Sequence, residues 1–93
     1  MPSTPTPEKP WKPVIDGPRL RQLRTKAQLS QRELIEKCAA LGTKIDRGNL
    51  HRAERGLPGA IGIKKARVVA QVLGVDMADF LTPHGRELIG IPA

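Results

Sequence analysis

The sequence predicts an all-α domain of five helices carrying extended N- and C-terminal tails, on three observations. Apolar residues recur at three- and four-residue spacing in successive segments. Helix-starting and helix-stopping residues bracket those segments. No stretch alternates apolar and polar residues as a half-buried strand does, and no internal repeat is visible.

The first 14 residues contain Pro2, Pro5, Pro7, Pro10 and Pro13, which lack backbone donors and hold their neighbours extended. Residues 1–14 are therefore expected to be a tail, in which Trp11 is either exposed or docked on the domain or on a second subunit. A first helix should open at Gly17 or Pro18, because proline suits the first helical turn, with Leu20, Leu23 and Ala27 on one face. Ser30-Gln31-Arg32-Glu33 is a capping box: the serine oxygen accepts from the third backbone N–H and Glu33 reaches back. The second helix that follows carries Leu34, Cys38 and Leu41 as its apolar stripe and stops at Gly42.

Asp46 caps a third helix that runs to Arg55. It buries Leu50 and Ala53, with Leu57 beyond, and turns Arg47, Asn49, His51 and Arg52 outward before Gly56-Leu57-Pro58-Gly59 ends it. A fourth helix from about Ile63 to Leu73 offers Ala66, Val69, Ala70 and Leu73 to the core and halts at Gly74. Asp76 opens a short fifth, with Met77, Phe80 and Leu81, that ends before Pro83. Residues 15–82 form the domain on this reading, and residues 83–93 a C-terminal tail. Its apolar run Leu88-Ile89-Gly90-Ile91 could serve as a dimerisation arm, dock on its own domain, or fray.

Net charge is +7, and its distribution carries more information than its size. Residues 17–57 hold ten Lys or Arg against Glu33, Glu36, Asp46 and Glu54, a net of +6; the flanking segments are neutral and +1. Clustered positive charge implies an acidic partner. Aromatic residues are only Trp11 and Phe80, too few for the stacking platforms that bind single strands, so duplex DNA is the preferred partner. No apolar run approaches the roughly 20 residues of a membrane span, and the start lacks an apolar signal core. The single Cys38 excludes an internal disulfide. A cytoplasmic protein is expected.

Leu29-Ser30-Gln31 with Leu34, then Leu50 with Ala53-Glu54-Arg55-Gly56, then Leu73-Gly74-Val75-Asp76 with Asp79-Phe80-Leu81, together resemble the Cro and phage-repressor type of helix-turn-helix, the XRE family. The resemblance covers about residues 15–82. It implies a lambda-repressor-like domain that acts as a transcriptional regulator, with repression the expected effect. The domain would bind a pseudo-palindromic operator as a homodimer and read the major groove with the helix near residues 46–55. Between Cys38 and Asp46 the chain holds about five residues more than the family pattern, a longer helix or turn that bears on the tilt of the reading helix.

Residue by residue, the resemblance places Gln31 on a DNA phosphate. It places Arg47, Gly48 and Arg52 at base-contacting positions, with Asn49 and His51 beside them. Arginine can donate twice to guanine O6 and N7, whereas Gly48 offers only a close approach of backbone. Arg32, Lys44 and Arg55 are candidate phosphate contacts. For each of these the plainer alternative is a solvated basic surface. Glu54 would repel phosphate if it faced DNA; the resemblance implies instead a buried ion pair with Arg24. Cys38 matches a small residue packed between the two helices of the motif.

Two other classes share this fold pattern: an antitoxin that masks a toxin through one of its tails, and an adaptor that has lost DNA binding. The +6 segment and the lack of acids on the outward face of the third helix argue against the adaptor. Catalysis, cofactors and metals find no support. His51 and His84 lack ligands at metal spacing, Ser3 and Ser30 lack a His-Asp arrangement, and no glycine-rich phosphate loop follows a strand.

Overall fold

A computed structural model describes residues 13–57 and 60–90. The expectations for Trp11 and most of the proline-rich segment, for Pro58-Gly59 and for residues 91–93 lie outside the described residues. Among the described residues five α-helices follow in order: α1 Gly17–Lys26, α2 Gln31–Ala40, α3 Arg47–Glu54, α4 Ile63–Leu73 and α5 Pro83–Leu88. A 3-10 turn, Met77–Phe80, sits between the last two.

Local capping chemistry sets most of these boundaries. Asp16 accepts the N–H of Arg19 at 3.2 Å to start α1. At α2 the box is closed in both directions: Ser30 Oγ accepts the Glu33 N–H at 3.0 Å and Glu33 Oε1 accepts the Ser30 N–H at 2.9 Å. Asp46 caps α3 by accepting the Asn49 N–H at 3.3 Å. Gly74 ends α4 in the left-handed conformation, φ 70°, that a Cβ would penalise.

The Ser30 backbone N–H that donates to the Glu33 carboxylate, and after it the Ser30 side chain, lower the Glu33 pKa. A depressed carboxylate pKa means that the stabilisation is present above the ordinary glutamate value and is lost as pH falls through the folded value. Thermal melts of wild type and Glu33→Gln, compared from neutral pH to pH 3, should therefore differ at neutral pH and converge in acid. A gap that is constant with pH would contradict the ionised cap.

The core draws on every helix but α5: Leu20 and Leu23 from α1, Leu34 and Cys38 from α2, Leu50 and Ala53 from α3, and Ala66, Val69 and Ala70 from α4. Met77, Phe80 and Leu81 close it. Ile15, Ile45, Ala60 and Ile61 are buried too, although they lie in connecting segments. Burial pushes the Cys38 thiol pKa up, so the group stays a neutral, packed hydrophobe.

Two ends of the domain are clasped together. Ile15 and Leu81 form an antiparallel bridge, the Asp16 N–H donates to Phe80 O at 2.8 Å and the Thr82 N–H donates to Val14 O at 2.9 Å. Thr82 also donates its hydroxyl to Pro13 O at 2.6 Å while accepting from Gly85 N–H at 3.0 Å, which caps α5. Arg86 then ties α5 back through two bonds to Ala78 O. At the other side of the same segment, Gly17 lies directly against the end of α3. A Cβ built there would overlap Glu54 O and come within 2.5 Å of Gly56 N, so only glycine lets α1 and α3 approach this closely.

Four details depart from the sequence reading. Ala27 is exposed and serves as the C-cap of α1. Leu41 leaves the apolar stripe of α2, because the helix stops at Ala40 and Gly42 turns left-handed at φ 86°, which leaves Leu41 50% exposed. Leu57 is likewise exposed beyond α3. The fifth element expected after Asp76 is a 3-10 turn, and Pro83 opens α5 in a stretch read as tail or arm, since Thr82 supplies a cap and proline fits the first turn.

Candidate nucleic-acid interface

The outward face of α3 is built by what it buries. Leu50, Ala53 and Glu54 turn inward, which leaves Arg47, Gly48, His51, Arg52 and Arg55 exposed and Asn49 half-buried. Arg47, His51 and Arg55 repeat at four-residue intervals and form one stripe. Arg52 lies about 140° around the helix from Arg47, at 3.6 residues per turn. Gly48 falls between the two arginines, and a Cβ there would meet only its own cap, Asp46 Oδ2, at 3.0 Å.

The Arg47 stripe forms one wall of a cleft of about 410 Å³. Its other walls are the start of α2, with Ser30, Gln31 and Arg32, and the second half of α1, with Arg21 and Arg24. Five arginines thus face one acid, Glu54. That acid is fully engaged: Arg24 Nε donates to Oε2 at 2.5 Å, and Arg24 Nη2 and Gln31 Nε2 donate to Oε1 at 2.9 and 3.2 Å. Arg24 gives its remaining guanidinium arm to Leu29 O at 2.8 Å, so one side chain links α1, the following turn and α3. The hydrogen bond to Glu54 raises the Arg24 pKa above its ordinary value, burial opposes this by less, and the Glu54 charge adds to it.

The remaining cations are available. Among the described residues, Arg21, Arg47 and Arg55 form no salt bridge, and Arg32 pairs only with Glu36 at 3.3 Å on an exposed surface. Such surface pairs contribute little and exchange readily with a stronger anion. Lys44 is exposed in the turn before α3 and does not line the cleft. Gln31 is half-buried; one of its amide protons points at Glu54 and the other remains to be donated.

No family model and no curated protein matches the chain. Among solved structures it is similar to SinR, the master regulator for biofilm formation, in a crystal structure of the complex with DNA: the TM-score is 0.57 at 28% identity, covering 69% of this chain and 94% of that one. The chain carries a helix-turn-helix of the Cro and phage-repressor type.

In this helix-turn-helix, α2 and α3 are the two helices of the motif. α2 runs to Ala40, and a turn follows in which Thr43 N–H donates to Cys38 O at 3.0 Å and Gly42 N–H to Ala39 O at 2.9 Å. Ile45 is 2% exposed and anchors the end of the turn in the core. The start of α3 is therefore pinned from both sides, by Ile45 before it and Leu50 within it.

One cleft residue, Arg21, escaped the sequence reading. It lies three positions before Arg24, on the same face of the first helix. That spacing was visible, but only the packing of α1 against α3 brings it beside Arg47 and Arg55.

Proposed function

We propose that this chain is a sequence-specific transcriptional regulator that binds duplex DNA, acting as a repressor on a pseudo-palindromic operator as a homodimer. The observation that carries the reading is the outward face of α3, which presents Arg47, His51, Arg52 and Arg55 with no exposed acid among them. In this reading Arg47 and Arg52 read base edges, guanine above all. Gly48 lets the α3 backbone come close to the groove, and Asn49 and His51 add contacts at its edge. Gln31, Arg32, Lys44 and Arg55 hold phosphates and set the register. The likeness to SinR, solved with DNA, supports the same use of the fold.

Binding to the DNA upstream of its own gene, measured across a salt series, tests the proposal. Wild type should prefer that DNA over random duplex and weaken steeply with salt, as counterion release requires. Arg47→Ala and Arg52→Ala should each cost about 1 to 3 kcal/mol of specific binding and narrow the gap to random duplex. A wild-type protein with no preference for any duplex over a random one would sink the reading.

A further inference from the structure

We propose that the arginine cleft between α1, α2 and α3 is also a seat for a free polyphosphate, and that a small polyphosphate bound there competes with DNA. The competition rests on the DNA-binding reading above; the seat itself does not.

Three features distinguish this cleft from a merely basic surface. Its cations converge from different elements: Arg21 from α1, Arg32 from α2, Arg47 from α3 and Arg55 from the C-cap of α3. A compact polyanion entering it can meet several guanidiniums at once, and charge-assisted hydrogen bonds of this kind are the strong ones. The one acid in the wall is already satisfied by Arg24 and Gln31 on both oxygens, so it offers an entering phosphate little repulsion. The volume of about 410 Å³ lies within the roughly 300–1,000 Å³ of small-molecule sites.

The lining also selects the ligand. Among the described residues the lining holds no Phe, Tyr or Trp on which a nucleobase could stack, so recognition falls on a phosphate chain. The shape is held before any ligand arrives, because the Arg24, Glu54, Gln31 and Leu29 hydrogen bonds fix the three helices that form the walls. Preorganisation of this kind lowers the cost of binding. A free polyphosphate in the cleft would occupy Arg32 and Arg55, assigned above to DNA phosphates, and Arg47, assigned to base edges, so it and DNA exclude one another.

The experiment uses the full chain and inorganic tripolyphosphate, with sodium chloride and sodium sulfate at matched ionic strength as controls. Amide chemical shifts and thermal midpoints should show saturable binding of tripolyphosphate that the matched salts do not reproduce. Tripolyphosphate should also release upstream DNA beyond the effect of ionic strength. Arg21→Gln, an exposed residue, should weaken tripolyphosphate about tenfold, the size of one lost charge-assisted bond. Arg67→Gln, the same charge change on α4 and outside the cleft, should leave it unchanged.

No saturation beyond matched salt, or equal weakening by both variants, would overturn the seat. Saturable binding without displacement of DNA would overturn the competition. Tripolyphosphate binding by a chain that prefers no DNA would refute the regulator reading and uphold the seat.

Discussion

Glu54→Ala is expected to leave the domain largely unfolded at 25 °C, by removing about 3 to 5 kcal/mol. The side chains of Arg24 and Glu54 are only 13% and 5% exposed, so the variant strands a guanidinium among α1, α2 and α3 with no anion to meet it. It also removes the acceptor of the Gln31 amide, a second polar group in a tight place. A domain of this size has a total stability of roughly 0.05 to 0.15 kcal/mol per residue, so the loss is comparable to the whole. Circular dichroism and a denaturant titration would measure it. Replacing both partners, Arg24→Met with Glu54→Leu, should recover much of the loss, since a buried pair exchanged for apolar residues of similar volume is often neutral. If the double variant were as unstable as Glu54→Ala, the deficit would not come from an unpaired charge.

Leu50→Ala is expected to cost about 2 to 5 kcal/mol through a cavity beneath α3. Leu50 is fully buried, and α3 has only Leu50, Ala53 and Glu54 with which to hold to the rest of the molecule. Denaturant midpoints should fall accordingly. The effect on DNA should be indirect: once corrected for the folded fraction, the salt dependence of binding should match wild type, because no cation has been removed. A changed salt slope in the folded fraction would mean that the cavity also moves the arginines of α3.

Capping chemistry explains why these helix boundaries were legible in the sequence. Ser30 with Glu33, Asp46 and Gly74 act within four residues of themselves, so a linear reading contains all the required information. Burial is less local. Ile15, Ile45, Ala60 and Ile61 lie in connecting segments, with no helical periodicity to mark them, and only the packed helices bury them. Leu41 is the converse case: its spacing fits the stripe of α2, but the left-handed turn at Gly42 ends the helix one residue before it. Pro83 follows the short element after Asp76, as the sequence suggests, yet with Thr82 before it the same proline starts α5.

The candidate site divides in the same way. The outward residues of α3 follow from helical spacing once Leu50 and Ala53 point inward. The entry of Arg21 into the cleft depends on how α1 crosses α3, which Gly17 permits through its bare backbone. No local pattern states that Gly17 will meet Glu54 and Gly56, nearly 40 residues away in the chain.

The clasp between Pro13–Asp16 and Phe80–Thr82 has a consequence for how the protein is made. Its hydrogen bonds join residues up to 69 positions apart, and Phe80 and Leu81 are among the most deeply buried side chains. While the chain is being synthesised, α1 to α4 can form and collide, but the core stays open on one side until residue 82 has left the ribosome. Closure of the core therefore depends on a segment that is synthesised after every residue lining the basic cleft.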